Sequence, residues 1–86
     1  MNFRITFANQ AKKSLKTIDT STKQRIKQAI YELPEGDVIK LQGNKGLYRL
    51  RVGSWRVLFS YAATNTKDDT ILIERVSLRD KAYREV

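Results

Sequence analysis

Apolar and polar residues alternate along two neighbouring segments in the second half of the chain, and this alternation predicts a β-hairpin. The segments 48–52 and 55–61 flank Gly53-Ser54, and a two-residue loop that begins with glycine suits a type II′ turn. Such a loop fixes three facing pairs: Val52 with Trp55, Arg51 with Arg56, and Leu50 with Val57. Because side chains alternate between the faces of a strand, one face collects the apolar and aromatic residues. That face consists of Tyr48, Leu50, Val52, Trp55, Val57, Phe59 and Tyr61.

The other face of this hairpin carries Arg49, Arg51 and Arg56. Like charges directly opposite each other destabilise a hairpin, so three arginines kept together indicate an anion that they bind. Guanidinium groups bind phosphate oxygens and stabilise negative charge that develops in a transition state. The three arginines are therefore candidate phosphate ligands. The alternative is a solvated sheet face without a ligand.

The first half of the chain predicts a short strand and two helices. Residues 2–7 alternate, and Asn9 is placed to cap a first helix. Ser21 followed by Gln24 fits a capping box for a second helix. Helical spacing gives each helix a buried stripe, formed by Ala11, Leu15 and Ile18 in the first and by Ile26, Ala29, Ile30 and Leu33 in the second. Residues 34–37 end the second helix.

The remaining segments predict strands at 38–41 and 71–76, with a flexible loop at 42–46, a polar turn at 64–69 and a short, charged tail of one helical turn at 77–86. Alternation from Ile73 through Arg75 and Ser77 places Arg79 on one face with them. The order predicts one α+β domain over residues 1–86, with two helices on one face of a mainly antiparallel sheet. The opposite face would then be open and basic.

Among the properties of the whole sequence, net charge is the most informative about function. The 86 residues include 17 Lys and Arg against 9 Asp and Glu, which gives a net charge of +8. Such an excess predicts a polyanionic partner, either a nucleic acid or an acidic protein. Cysteine and histidine are absent, so we expect no disulfide, no conventional zinc or iron site and no cofactor. Without an apolar signal region or a long apolar run, the chain is expected to be cytoplasmic and not to bind membranes.

The tail supplies further candidates. Tyr83 lies four residues after Arg79, so one helical turn would bring the two side chains together. A tyrosine there could stack on a base or move a proton, and the alternative is a packing residue. Candidate contacts to a phosphate backbone are Lys40, Lys45 and Lys81. The basic residues on the outer helix faces are interpreted as mostly solvating; they are Lys12, Lys13, Lys16, Lys23, Arg25 and Lys27.

Three segments, 37–43, 47–59 and 76–84, together resemble the RelE/ParE toxin superfamily of bacterial and archaeal toxin–antitoxin systems. The pattern K-L-x-G … Y-R-x-R-x-G-x-x-R is present in full, and so is the closing R-x-x-x-Y element. The resemblance covers nearly the whole chain. It implies the RelE fold, in which an N-terminal strand and a helical hairpin precede an antiparallel strand meander.

For RelE-type members the resemblance implies metal-independent cleavage of mRNA in the ribosomal A site, which stops translation and growth. Family positions for phosphate binding and transition-state stabilisation correspond to Arg49, Arg51, Arg56 and Arg79, with Tyr83 as the closing tyrosine. Our hypothesis is that Arg56 and Arg79 clamp the phosphate, that Arg49 and Arg51 position it, and that Tyr83 orients or stacks a base.

The general base stays open at this point. Some relatives carry His or Lys just before the tail arginine, where this chain has Leu78, and arginine keeps its proton because its pKa exceeds about 12. The base is therefore Tyr83, Lys81, a ribosomal group, or none. A ParE-like gyrase inhibitor and a catalytically inactive antitoxin partner are the competing hypotheses. The expected partners are the ribosome with its mRNA and an acidic antitoxin, with the free chain a monomer.

Overall fold

The computed structural model describes residues 3–41, 46–62 and 70–78. These ranges contain two helices and five strands, and the α+β class is confirmed. In chain order they are β1 (Arg4–Phe7), α1 (Asn9–Lys16), α2 (Thr20–Tyr31), β2 (Val38–Lys40), β3 (Tyr48–Val52), β4 (Trp55–Ala62) and β5 (Thr70–Leu78). One sheet contains all five strands in the order β1-β5-β4-β3-β2. Its pairs are antiparallel except for β1, which lies parallel to β5.

Both helices pack on one face of the sheet, and the core lies between these two layers. The helical hairpin contributes the predicted stripe residues Ala11, Leu15, Ile18, Ile26, Ile30 and Leu33, all buried. Ile18 and Leu33 lie just beyond the ends of their helices. The sheet contributes Leu50, Val57, Phe59, Ile71, Ile73 and Val76. Burial of these apolar surfaces is the main term that stabilises so short a chain.

The hairpin of β3 and β4 has the predicted register. Arg51 faces Arg56, and the loop between the strands is Gly53-Ser54. Gly53 adopts a φ of +60° while the φ of Ser54 is not positive, as a type II′ turn requires. The two-residue loop therefore fixes which side chains point away from the helices.

Both predicted helix caps are wrong by a residue or two. The N-cap of α1 is Ala8, without a side-chain hydrogen bond, and Asn9 is already the first helical residue. The N-cap of α2 is Asp19, whose Oδ2 accepts a hydrogen bond from the Thr22 backbone N–H at 3.0 Å. Ser21, the predicted cap, instead donates its hydroxyl to Asp19 Oδ2 at 3.3 Å. A carboxylate makes the stronger cap because its acceptor is charged.

The Asp19 cap predicts a pH dependence of stability. Its hydrogen bond from the Thr22 backbone N–H lowers the pKa of Asp19 below the ordinary value of 3.8. Because the folded-state pKa is lowered, the cap's contribution to stability is fully present above the unfolded-state pKa and is lost as the pH falls from there through the folded-state pKa. We expect Asp19→Asn to unfold at a lower temperature than wild type at pH 7, and the difference to shrink at pH 2.5. A difference in melting temperature that is equal at both pH values would contradict this expectation.

A bulge in β5 reverses part of the predicted alternation. Phe59 faces Ile73, but the preceding residue Leu58 faces Arg75, so Glu74 is an extra residue without a facing partner. Ile73 therefore lies on the helix side, whereas Arg75 lies on the opposite face. The prediction that Ile73 shares a face with Arg75 and Ser77 is wrong for this reason.

No helix within the described ranges is both long and apolar enough to cross a membrane.

Candidate functional site

The sheet face opposite the helices brings arginines from three strands together, and we call it the arginine face. Its cross-strand rows follow from the register: one row is Arg51 on β3, Arg56 on β4 and Ser77 on β5, and the other is Arg49, Leu58 and Arg75. Because β4 lies between β3 and β5, Arg75 is on the same face as the hairpin arginines and is separated from Arg49 by Leu58. Sequence alternation predicted this grouping of Arg49, Arg51 and Arg56.

The arginine face is not open, in contrast to the prediction. Arg49 is 6% exposed, Arg56 is 4% exposed and Leu58 is 3% exposed, whereas the side chain of Arg51 is 52% exposed. Long arginine stems bury their methylene groups along neighbouring apolar surface. A guanidinium as buried as that of Arg49 needs hydrogen-bond or charge partners, because an isolated buried charge is very costly.

Asp37 supplies one such partner. Its Oδ1 lies 3.4 Å from Arg49 Nη2, and its Oδ2 lies 3.9 Å from Arg51 Nε. The Asp37 backbone carbonyl also accepts a hydrogen bond from the Arg51 N–H at 3.0 Å, at the start of the β2–β3 ladder. One carboxylate therefore bridges two of the three hairpin arginines.

The other arginines have different surroundings. Arg56 Nη1 lies 3.3 Å from the carbonyl of Trp55 and 3.4 Å from that of Gly53, which turns its guanidinium toward the hairpin loop. Arg75 donates through Nη2 to the Gln10 side chain on α1 at 3.0 Å. The arginines are thus held by strand register and by several separate contacts, as a preformed anion site requires.

The other predicted site residues are not joined to this face in the described ranges. Lys40 faces Tyr48 in the β2–β3 ladder, so it projects from the helix side of the sheet, away from Arg49. Lys45, Arg79, Lys81 and Tyr83 lie outside the described residues. Their roles stay predictions.

Tyr61 belongs to an aromatic cluster at the helix side of the sheet. Its ring centroid lies 5.1 Å from that of Tyr48 and 5.7 Å from those of Phe3 and Phe59. Burial raises the pKa of Tyr61, and the neighbouring Tyr48 raises it further. Tyr61 is therefore protonated at neutral pH and lies on the wrong face to act as a base for a ligand of the arginines.

Sequence reasoning missed two site residues and one basic surface. The sequence did contain a clue to Asp37, because this residue directly precedes a strand that pairs with the strand of Arg49 and Arg51. Arg75 was considered only for its place in the alternation of the last strand.

The helix lysines, interpreted as solvating, partly surround a depression of about 190 Å³. The apolar residues of this depression are Phe7 and Leu15. Two lysines from each helix surround them: Lys12, Lys16, Lys23 and Lys27. No helical periodicity predicts that two outer faces meet in this way.

The chemistry available to the arginine face is anion binding. Guanidinium groups donate several hydrogen bonds and keep their charge, so they suit a phosphodiester or its more negative transition state, and they do not act as bases. Among the described residues, no group of three or more His, Cys, Asp and Glu is placed to hold a metal ion.

Comparisons with known proteins identify the family. The model of the ParE toxin of type II toxin–antitoxin systems matches residues 5–83. A protein of Methanocaldococcus jannaschii that carries the name toxin RelE1 is 28% identical over 91 residues, which cover 98% of each chain.

Solved structures agree with this match. The RelB–RelE antitoxin–toxin complex of Methanococcus jannaschii contains a chain with 28% identity and a TM-score of 0.70, covering 92% of this chain and 95% of that one. The archaeal RelE–RelB complex of Pyrococcus horikoshii gives 31% identity and a TM-score of 0.66, with coverage of 92% and 97%. The toxin–antitoxin complex RelBE2 of Mycobacterium tuberculosis, at 19% identity and a TM-score of 0.70, is similar in fold, with coverage of 92% and 100%. The chain therefore belongs to the ParE toxin family of type II toxin–antitoxin systems, within the RelE/ParE superfamily.

Proposed function

We propose that this toxin is a ribosome-dependent endoribonuclease that cleaves mRNA in the A site and thereby stops translation and growth. The observation that supports this most strongly is the arginine face. Arg49 and Arg51 on one strand and Arg56 on the next share that face, and Arg51 directly faces Arg56. Such a density of fixed positive charge suits a phosphodiester whose charge increases during reaction.

The proposed reaction is an internal transfer at phosphorus. The ribose 2′-oxygen attacks the adjacent phosphorus as the 2′-hydroxyl loses its proton, and the bond to the 5′-oxygen breaks. The 5′-oxygen gains a proton, and the other product is a 2′,3′-cyclic phosphate. The arginines stabilise the dianionic phosphorane between these steps. Proton transfer is left to Tyr83, Lys81 or a ribosomal group, and Arg79 completes the phosphate clamp.

The proposed partners follow from charge and from the relatives. Two solved relatives above 25% identity are RelB–RelE complexes, so we propose that a cognate acidic antitoxin binds this toxin in the cytoplasm. The net charge of +8 favours fast, salt-sensitive association with such a protein and with the ribosome. The lysine-rimmed depression on the helix side adds positive charge on a second surface. The free toxin is proposed to be a monomer that forms a hetero-oligomer with the antitoxin.

A second candidate function is inhibition of DNA gyrase without nuclease activity. The match to the ParE toxin model favours this candidate. The full set of hairpin arginines favours RNA cleavage instead, because a gyrase inhibitor without phosphoryl-transfer chemistry has no need for a guanidinium cluster that stabilises a phosphorane.

Induced expression with two readouts separates these candidates. Growth and primer extension on a reporter mRNA would be followed for wild type, for Arg56→Ala and for Lys13→Ala, a matched control at an exposed position on α1. Cuts within codons of translated message in wild type and Lys13→Ala, but not in Arg56→Ala, are the expected result. Growth arrest with intact mRNA and with broken DNA would transfer the assignment to gyrase.

A further inference from the structure

Asp37 stands out among the acidic residues because it contacts two arginines of the arginine face. We propose that Asp37 is a positioning residue, which holds the guanidiniums of Arg49 and Arg51 in the orientation that receives a substrate phosphate. This inference rests on the proposed function for its substrate, whereas the contacts that carry it are properties of the fold.

The backbone delivers Asp37 to this place. The Arg51 N–H donates to the Asp37 carbonyl at 3.0 Å, so the residue is tied to the strand that carries both of its arginine partners. The preceding residue, Gly36, has a φ of +115°, and a Cβ atom there would lie 3.2 Å from Leu50 Cδ1. Leu50 is 1% exposed and belongs to the core. Only glycine turns the chain this closely over the core, and the turn aims the next residue at the arginine face.

The two carboxylate oxygens have separate partners. Oδ1 accepts a hydrogen bond from Arg49 Nη2 at 3.4 Å, and Oδ2 forms an ion pair with Arg51 Nε at 3.9 Å, so one planar group attracts two guanidiniums from fixed directions. Arg51 meets the carboxylate through Nε, the nitrogen nearest its stem, so its terminal NH₂ groups extend beyond Asp37. Its side chain is 52% exposed, which leaves those groups near solvent and accessible to a phosphate. Arg56 is oriented by the carbonyls of the hairpin loop instead.

Charge balance gives the same assignment. The Arg49 side chain is 8% exposed and needs an anion to offset its burial, whereas the Asp37 side chain is 54% exposed. A half-exposed carboxylate orients the guanidiniums and cancels one of their two charges, so the site stays positive in total. The opposite role would place the Asp37 carboxylate in the phosphate position, where it competes with substrate. The two roles predict opposite changes in kinetics.

The test uses two substitutions. Asp37→Asn removes the negative charge at nearly constant shape, and Asp37→Glu keeps the charge on a longer side chain. Glu35→Gln is the matched control, because it removes the charge of an exposed carboxylate two residues away. With purified full-length toxin, ribosomes and a reporter mRNA, a positioning role predicts that kcat falls about tenfold in Asp37→Asn while KM changes less than about threefold. Asp37→Glu should recover most of kcat, and Glu35→Gln should match wild type.

A second readout does not depend on catalysis. The side-chain Nε–H signals of Arg49 and Arg51 in NMR spectra should shift and become more mobile in Asp37→Asn, and not in Glu35→Gln. Unchanged arginine signals, or a lower KM with kcat preserved, would overturn the positioning role. If wild-type toxin fails to cut mRNA on the ribosome, the proposed nuclease function is overturned, and the NMR comparison still decides the role of Asp37.

Discussion

Replacing Arg56 by alanine is expected to lower the rate of the proposed ribosome-dependent mRNA cleavage by about 10²–10³-fold, the usual effect of removing one fixed stabiliser of a transition-state oxyanion. Arg56 faces Arg51 across the hairpin, and its guanidinium is held near the carbonyls of Gly53 and Trp55. The loss should appear in kcat more than in KM, because negative charge at phosphorus increases only as the phosphorane forms. Single-turnover cleavage on programmed ribosomes measures this rate directly.

Arg56 is buried, so folding must be separated from catalysis in this experiment. Circular dichroism and thermal unfolding of Arg56→Ala would show whether the sheet persists. Arg56→Lys keeps the charge but not the forked geometry, and we expect it to recover only part of the lost rate. A folded Arg56→Ala variant that cleaves mRNA at the wild-type rate would remove Arg56 from the proposed clamp.

Truncating Phe59 is expected to have the largest effect on stability. Its side chain is fully buried, and its ring lies 5.6 Å from that of Tyr48 and 5.7 Å from that of Tyr61. Phe59→Ala should cost about 3–5 kcal/mol in the free energy of unfolding, through lost burial and the cavity that remains. Small domains have only about 5–15 kcal/mol in total, so the variant should be close to unfolding at 37 °C. Urea denaturation followed by circular dichroism measures the difference.

Tyr31 provides the matched control, since it is aromatic but 62% exposed at the end of α2. Tyr31→Ala should change the free energy of unfolding by less than about 0.5 kcal/mol. Equal losses in the two variants would mean that the packing of the sheet face contributes less than burial indicates.

Local rules made the hairpin predictable. A two-residue loop leaves one register, and Gly53 met the backbone requirement of that loop, so the facing pair Arg51 and Arg56 could be assigned from the sequence. Helical spacing similarly identified the buried positions of both helices, such as Ile26 and Ile30. Each of these inferences depends on residues that are close together in the chain.

The parts that failed depend on choices between nearly equal local options or on distant contacts. Asp19 and Ser21 are both residue types that cap helices well, so the sequence alone left the choice between them open, and the structure has Asp19 as the cap. The bulge at Glu74 has no glycine or proline to signal it, yet it moves Ile73 to the helix side while Arg75 stays on the arginine face.

The candidate site shows the same division. The alternation of side chains along the strands placed Arg49, Arg51 and Arg56 on one face. It gave no information on their burial or on the carboxylate of Asp37 between two of them. Lys40 matches the sequence motif, and its register nevertheless directs it to the other side of the sheet. Burial and pairing of charges depend on what covers a face, which alternation along one strand does not encode.

The parallel pairing of β1 with β5 has a consequence for synthesis. The first strand of the chain pairs along its length only with the last described strand, Ile5 with Ile71 and Phe7 with Ile73. Because a chain is synthesised from its N-terminus, β1 has no strand to pair with until β5 has been translated. Arg75 and Ser77 likewise reach the arginine face only at that stage. The five-stranded sheet is therefore complete only after residues 70–78 have been translated, and a shorter nascent chain lacks both the partner of β1 and one strand of the arginine face.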